Sequence, residues 1–201
     1  MHLRTAATAL SVVLLSTAVV PAVNVELTPF WGYRFGGELE DLNLEASDSD
    51  SYGLAVDLNV DRYNAFEFLW SRQDTDLEFN DFGSGFKRTV GITIDQYQFG
   101  WLMQGGDDKI KPFFTFHLGW GDFSPDRGSG ETEFNWSLGG GAKIFFNDTL
   151  GLRLGARWTP TYVDSDPAYF CNVYGFCYTV SDYDYFNQVE MSAGLIIKLG
   201  S

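Results

Sequence analysis

Strict alternation of apolar and polar residues, with a period of two, is the feature that most constrains the fold of this chain. The clearest stretch runs from Leu150 to Pro160, where apolar residues alternate with glycine, threonine or arginine. One face of this stretch carries no charge, whereas the other carries Arg153 and Arg157. Because successive side chains of a β-strand point to opposite faces, the pattern predicts a strand with one apolar and one polar face.

The same rule, applied along the rest of the chain, predicts about eight strands. Their apolar faces are rich in aromatic residues, and their polar faces carry glycine, hydroxyl groups and charges. A soluble sandwich or barrel would bury the bulky face, whereas here the small, charged face fits the narrow lumen of a barrel. The aromatic face then requires lipid, where every backbone group must be paired. We therefore predict an all-β fold, an eight-stranded antiparallel up-and-down transmembrane β-barrel.

The first residues form a targeting segment. Arg4 gives it a positive start, the stretch from Ala6 to Val20 is apolar, and small residues follow. We expect a signal peptide over residues 1–22, cleaved after Ala22, and a barrel domain over residues 23–201. No later segment approaches the roughly 20 apolar residues that a helical membrane span needs.

The chain is strongly acidic, with a formal net charge of -14. Such a chain is repelled by phosphates, so we expect no nucleic-acid partner. Four long connections hold 18 of the 27 acidic residues and only three bases, and they alternate with short turns. They cover residues 36–50, 73–89, 122–133 and 163–185. We expect them to face the outside of the cell and both termini to face the periplasm.

The remaining charges balance, nine acidic against nine basic once Arg4 is removed. Those whose register points inward are expected to neutralise one another in the lumen, because a buried unpaired charge is costly. The predicted network consists of Glu26, Arg34, Asp57, Glu67, Lys143, Arg153, Arg157, Glu190 and Lys198. A network of this kind predicts a plug rather than a pore, since eight strands leave room only for side chains or a few waters.

The two cysteines, Cys171 and Cys177, lie in the last long connection. In an exported chain they favour a disulfide, because the compartment is oxidising. A metal pair is less expected, since no histidine lies near them.

The C-terminal segment resembles the assembly signal of outer-membrane barrels. Ser192, Gly194, Ile197 and Leu199 match its polar residue, its glycine and its alternating apolar residues. The chain departs from the signal at its end, because Gly200-Ser201 stands where such proteins usually finish on an aromatic residue.

Two further stretches, Arg-Phe-Gly-Gly at 34–37 and Gly-Leu-Arg-Leu-Gly at 151–155, complete the pattern. With them the chain resembles the small outer-membrane β-barrel family related to opacity proteins and the OmpA membrane domain. The resemblance implies a role in envelope structure, adhesion or surface interaction, usually without catalysis. It also implies outer-membrane lipid, lipopolysaccharide and the barrel-assembly machinery as partners.

An enzymatic alternative comes from barrels that modify lipid A with a histidine, a serine and a carboxylate. The mature chain has one histidine, His117, whose register points inward. Gly119 occupies the place where the deacylase pattern requires a serine. We therefore expect His117 to be a hydrogen-bonded lumen residue, and we expect no catalytic residues and no cofactor.

Acidic residues of the connections offer oxygen ligands for Ca²⁺. They are Asp48 and Asp50, next to Ser49, and Asp164, Asp166, Asp182 and Asp184. Their spacing is not that of an EF-hand, so the sequence favours a solvated acidic surface over a metal site. We predict a non-enzymatic outer-membrane barrel whose acidic extracellular loops bind an unidentified ligand, with or without divalent cations. A narrow channel and a lipid A-modifying enzyme remain as alternatives.

Overall fold

Eight antiparallel strands close into a barrel in the computed structural model. The structure describes residues 24–39, 44–80, 87–126, 130–163, 170–171, 177–178 and 184–199. The strands are β1 (Asn24–Leu39), β2 (Ser49–Asn59), β3 (Asn64–Asn80), β4 (Lys87–Gln104), β5 (Ile110–Pro125), β6 (Glu131–Phe145), β7 (Leu150–Val163) and β8 (Asp184–Leu199). Each strand pairs with the next, and β8 pairs with β1. The predicted eight-stranded barrel is confirmed, whereas the predicted signal peptide lies outside the described residues.

Two short elements accompany the barrel. The segment Leu44–Ala46 pairs with the upper ends of β1 and β3, and Phe170–Cys171 pairs with Cys177–Tyr178 as a separate hairpin. Among the described residues, no helix is long and apolar enough to cross a membrane.

The side chains alternate between lumen and lipid as the sequence predicts. Six aromatic residues lie side by side on the outer face of β3 to β8 and form a continuous row. The row consists of Trp70, Tyr97, Trp120, Phe134, Tyr162 and Tyr185. At the other end of the barrel, Trp101 Nε1 donates to Asn64 Oδ1. Aromatic residues at both levels match the two girdles of outer-membrane barrels.

The strands extend further than the sequence indicates. We predicted connections over residues 73–89 and 122–133, but β3 runs to Asn80, β4 begins at Lys87 and β5 ends at Pro125. Hydrophobic alternation fades where a strand leaves the lipid, because both of its faces then meet water, yet backbone pairing continues. Part of the negative charge that we assigned to loops is therefore carried by strands.

The three short turns share one local device. Each begins with a residue whose side-chain oxygen accepts hydrogen bonds from the backbone N–H groups two and three residues later. These bonds stabilise a tight turn. These side chains are Asp61, Asp107 and Asn147. The Asn64 side chain and the backbone N–H of Tyr63 hold the pKa of Asp61 below its ordinary value. These turns mark the periplasmic end, because outer-membrane barrels keep their short connections there.

A glycine pair at the opposite end permits a bulge in β1. Gly36 and Gly37 have φ values of 74° and 118°, which other residues rarely adopt. A Cβ on Gly37 would lie 2.8 Å from Cε2 of the Phe186 ring. The bulge therefore lets Phe186 turn into the barrel mouth.

The outward register of β7 gives the first test. Leu154 is 42% exposed on the lipid-facing wall. Leu154→Arg is expected to cost about 2–4 kcal/mol of unfolding free energy if the residue lies near the bilayer midplane. Urea unfolding in lipid vesicles measures this cost, and Asp148→Arg in a periplasmic turn is the control. Equal midpoints for the two variants would contradict the assigned face.

Candidate functional site

Three carboxylates lie side by side on the inner wall. The register places Asp57 of β2 between Glu26 of β1 and Glu67 of β3. All three side chains are buried. Like charges at neighbouring cross-strand positions repel one another, so the row requires cations within reach.

Those cations come from the opposite wall of the barrel. Lys143 of β6 places its Nζ 2.8 Å from Glu26 Oε2 and 2.7 Å from Asp57 Oδ2. Arg153 of β7 donates to both carboxylate oxygens of Glu67, at 2.5 and 3.1 Å. The two walls are therefore joined through the lumen by charge-assisted hydrogen bonds, which are stronger than neutral ones.

A second charged group lies nearer the outer end. Glu190 of β8 accepts from Arg34 at 2.6 Å, from Arg157 at 2.8 Å and from the Ser51 hydroxyl at 2.9 Å. Amide side chains surround this group, and Gln188 donates to Gln73 at 3.0 Å.

At the periplasmic end, Lys198 lies 4.0 Å from Glu26. The structure thus brings all nine residues of the predicted network into the lumen, each within ion-pair distance of an opposite charge.

His117 joins the carboxylate row, a contact that the sequence analysis missed. Its Nε2 lies 2.9 Å from Glu67 Oε1, and its Nδ1 lies 3.2 Å from Ser137 Oγ. Gly100 of β4 stands between Glu67 and His117 in the register, and a Cβ there would lie 2.6 Å from the imidazole Cδ2. The signal in the sequence was Gly100 itself. A glycine on the strand between two strands that each carry an inward polar residue leaves room for those two side chains to meet.

A hydroxyl, an imidazole and a carboxylate in contact are the groups of nucleophilic catalysis. Here Ser137, His117 and Glu67 are buried in the lumen. The Ser137 hydroxyl donates to Gln98 Oε1 at 3.0 Å, so its proton is directed away from the imidazole. The three groups are thus part of the polar network of the lumen.

Two apolar clusters lie inside the barrel beside its polar groups. The outer cluster consists of Ala46, Leu77, Ile92, Ile94 and Phe186, with Phe123 packed against it. The inner cluster consists of Ala65, Leu102 and Phe113. Phe113 packs directly against a charged group, because the Arg153 guanidinium lies 4.5 Å from the centre of its ring. We did not predict these clusters, because the alternation assigns large apolar residues to the lipid face.

The outer wall becomes acidic just above the aromatic row. Arg72 forms a bidentate pair with Asp95 at 2.6 and 2.9 Å, and Trp70 Nε1 donates to the same carboxylate. Further acids follow on the outer ends of neighbouring strands and in the turn after β5. They are Asp50, Asp74, Asp76, Asp122 and Asp126, all exposed except the half-buried Asp122. We call these five residues the acidic outer belt.

No group of three or more ligating side chains that could hold a metal ion occurs in the described residues. Asp48 accepts from the backbone N–H of Gly36 at 3.0 Å. Asp164, Asp166 and Asp182 lie outside the described part of the chain, so a calcium site there stays a prediction.

The register places Cys171 directly opposite Cys177 in the short hairpin. The disulfide between them stays a prediction. In β8, Ser192 and Gly194 face the lumen, whereas Ile197 and Leu199 face lipid. Their role as an assembly signal also stays a prediction.

A closed barrel with a lipid-facing aromatic wall and a lumen of paired charges defines the class of small outer-membrane β-barrels. Residues 7–194 match the model of the outer membrane protein beta-barrel domain family. The chain belongs to this family, and it is a protein of the bacterial outer membrane.

Solved structures of the same fold include NspA, the Neisserial surface protein A, at 14% identity and a TM-score of 0.58, covering 88% of this chain and 96% of that chain. AlkL, determined by solid-state NMR in DMPC bilayers, has 10% identity and a TM-score of 0.58, with 96% and 98% coverage. Ail of Yersinia pestis has 7% identity and a TM-score of 0.52, with 89% and 100% coverage. No curated protein matches the chain in sequence. At these identities the likeness establishes the fold alone.

The cross-lumen pairs generate a stability test. Arg153→Leu removes the bidentate partner of Glu67 and leaves that buried carboxylate without its main cation, so we expect a loss of about 3–5 kcal/mol. Arg62→Leu, at an exposed periplasmic turn, is expected to change stability by less than about 1 kcal/mol. Urea unfolding in vesicles compares the two variants. Equal losses would show that the lumen pair contributes nothing specific.

The cysteine pair is tested by thiol counting on the denatured protein without reductant. We expect no free thiols, because facing positions of a short hairpin suit a disulfide in an oxidising compartment. Heat-dependent gel mobility of a variant with Cys171→Ser and Cys177→Ser should match that of the parent, since the hairpin lies apart from the barrel sheet. Two free thiols in the parent would refute the disulfide.

Proposed function

We propose that the protein is a non-enzymatic surface-recognition barrel whose acidic outer end binds a cationic partner. The distribution of charge carries this proposal. Each buried lumen charge lies within ion-pair distance of an opposite charge, whereas the five acids of the acidic outer belt exceed the described bases of the neighbouring strand ends. Those bases are Arg72, which is already paired with Asp95, and Lys87 and Arg88 at the start of β4. A belt with this excess of negative charge produces an outward field that attracts cations and steers their approach.

The lumen supports a plug rather than a channel. The charged groups are paired across the barrel, and the outer apolar cluster lies between them and the outer mouth. An ion in transit would have to displace these pairs and pass that apolar cluster. We therefore favour recognition at the surface over conduction.

The position of His117 argues against a lipid A-modifying enzyme. Its side chain is 1% exposed and is directed into the lumen, on the opposite face of the wall from lipid. A lipid substrate at the outer wall would not reach it.

We propose that the lipid and lipopolysaccharide of the outer membrane surround the apolar wall of the barrel, and that the barrel-assembly machinery inserts the chain.

The likeness to Ail suggests a contrast in ligand charge. Ail was crystallised with the heparin analogue sucrose octasulfate, a polyanion. The acidic outer belt of this chain would repel such a molecule. A cationic peptide or protein segment fits its charge better, directly or alongside divalent cations.

The proposal is tested with a fluorescent oligolysine peptide and protein in nanodiscs, which leave both ends accessible. Replacing Asp50 and Asp76 with Asn should weaken binding about threefold at low salt, because each exposed charge contributes a few tenths of a kcal/mol. The matched control replaces Asp108 and Asp148 with Asn at the periplasmic end, and it should weaken binding less. Equal losses in the two variants would contradict a recognition surface at the outer end.

The two alternatives have their own measurements. We expect no single-channel conductance in planar bilayers and no change in the lipid A mass spectrum on overexpression. Conductance would favour the channel, and a new lipid A species would favour the enzyme.

A further inference from the structure

A cavity of about 40 Å³ lies inside the charged part of the lumen. Its wall includes Arg153, Arg157 and His117, together with Glu67 and Glu190. A site needs only about 10–15 Å³ of such volume to hold one water, so this cavity has room for a small ion. We propose that it binds a small monovalent anion of the chloride class.

One buried donor on its wall lacks a hydrogen-bond partner. Arg157 Nε has none, although the other nitrogens of this guanidinium contact Gln98 and Glu190. Buried polar groups are almost always satisfied, so this N–H group requires an acceptor in the cavity.

The carboxylates on the wall do not repel such an anion strongly, because each already has cations. Glu67 is engaged by Arg153, and Glu190 by both Arg34 and Arg157. Each of these pairs lies within ordinary ion-pair distance, so little of the negative charge is directed at the cavity.

The charge around the cavity also favours an anion over water. Three guanidinium groups, those of Arg34, Arg153 and Arg157, are paired there with two carboxylates, Glu67 and Glu190. One positive charge is therefore in excess in this group, whereas Lys143 and Lys198 balance Glu26 and Asp57. An unmatched charge among buried groups is costly, and a bound anion removes that cost.

Glycine creates the space and supplies a variant that leaves every charge in place. Gly155 lines the cavity, and a Cβ built on it would approach no atom closer than 3.4 Å. Gly155→Ala should therefore fold, while its methyl group occupies part of the site. Arg157→Lys keeps the charge but removes the Nε donor.

The direct test is to refold the protein in sodium bromide, crystallise it and measure anomalous diffraction at the bromine edge. We expect a peak in the cavity, within hydrogen-bond reach of Arg157 Nε, that is lost in Arg157→Lys and weakened in Gly155→Ala. Arg72→Lys on the outer wall is the control and should keep the full peak. No peak in the parent protein, or an unchanged peak in both cavity variants, would overturn the assignment.

A solution measurement covers the case in which a variant does not fold. The parent protein is refolded in sodium chloride or in sodium gluconate at equal ionic strength, and the temperature at which its gel mobility changes is compared. A higher transition temperature in chloride is expected, because a ligand bound only by the folded state stabilises it. Identical transition temperatures would show that water alone fills the cavity.

Discussion

The neutralisation of one row of carboxylates by cations from the opposite wall governs the interior of this barrel. Glu26, Asp57 and Glu67 are adjacent on three strands, and Lys143 and Arg153 reach them across the lumen. A slip of β6 by one residue would turn Lys143 towards lipid and leave carboxylates unpaired. The pairs therefore specify the register of strands that are not neighbours in the sheet.

This constraint also explains where glycine occurs. The long side chains that cross the lumen need space, and glycines on the facing strands supply it. Gly100 leaves room for His117 beside Glu67, and Gly53 lies against the ring of Phe30, where a Cβ would be only 2.6 Å from Cζ. Small residues beside large ones thus fill a narrow tube with few voids, as close packing requires.

Much of this architecture could be predicted from the sequence, because one physical rule operates along the membrane-spanning part of the chain. Alternation identified the strands, their inward faces and the nine lumen charges, since a misplaced charge in lipid would be costly. The same rule failed outside the lipid and at the barrel mouths, where the two faces of a strand no longer separate hydrocarbon from a polar lumen. Above the lipid, β3 and β4 continue without hydrophobic alternation, and at the barrel mouths Phe186 and Phe113 turn inward although their apolar character suggests lipid. The contact between His117 and Ser137 depends on the register of β5 and β6, which a single strand pattern does not contain.

The ion pairs across the lumen also have a mechanical consequence. Lys143 ties β6 to β1 and β2, and Arg153 ties β7 to β3, so each pair joins strands on opposite walls. The barrel cannot be flattened without breaking these charge-assisted hydrogen bonds, which are stronger than neutral ones. The lateral pressure of the surrounding bilayer therefore acts on a cylinder that resists deformation of its cross-section.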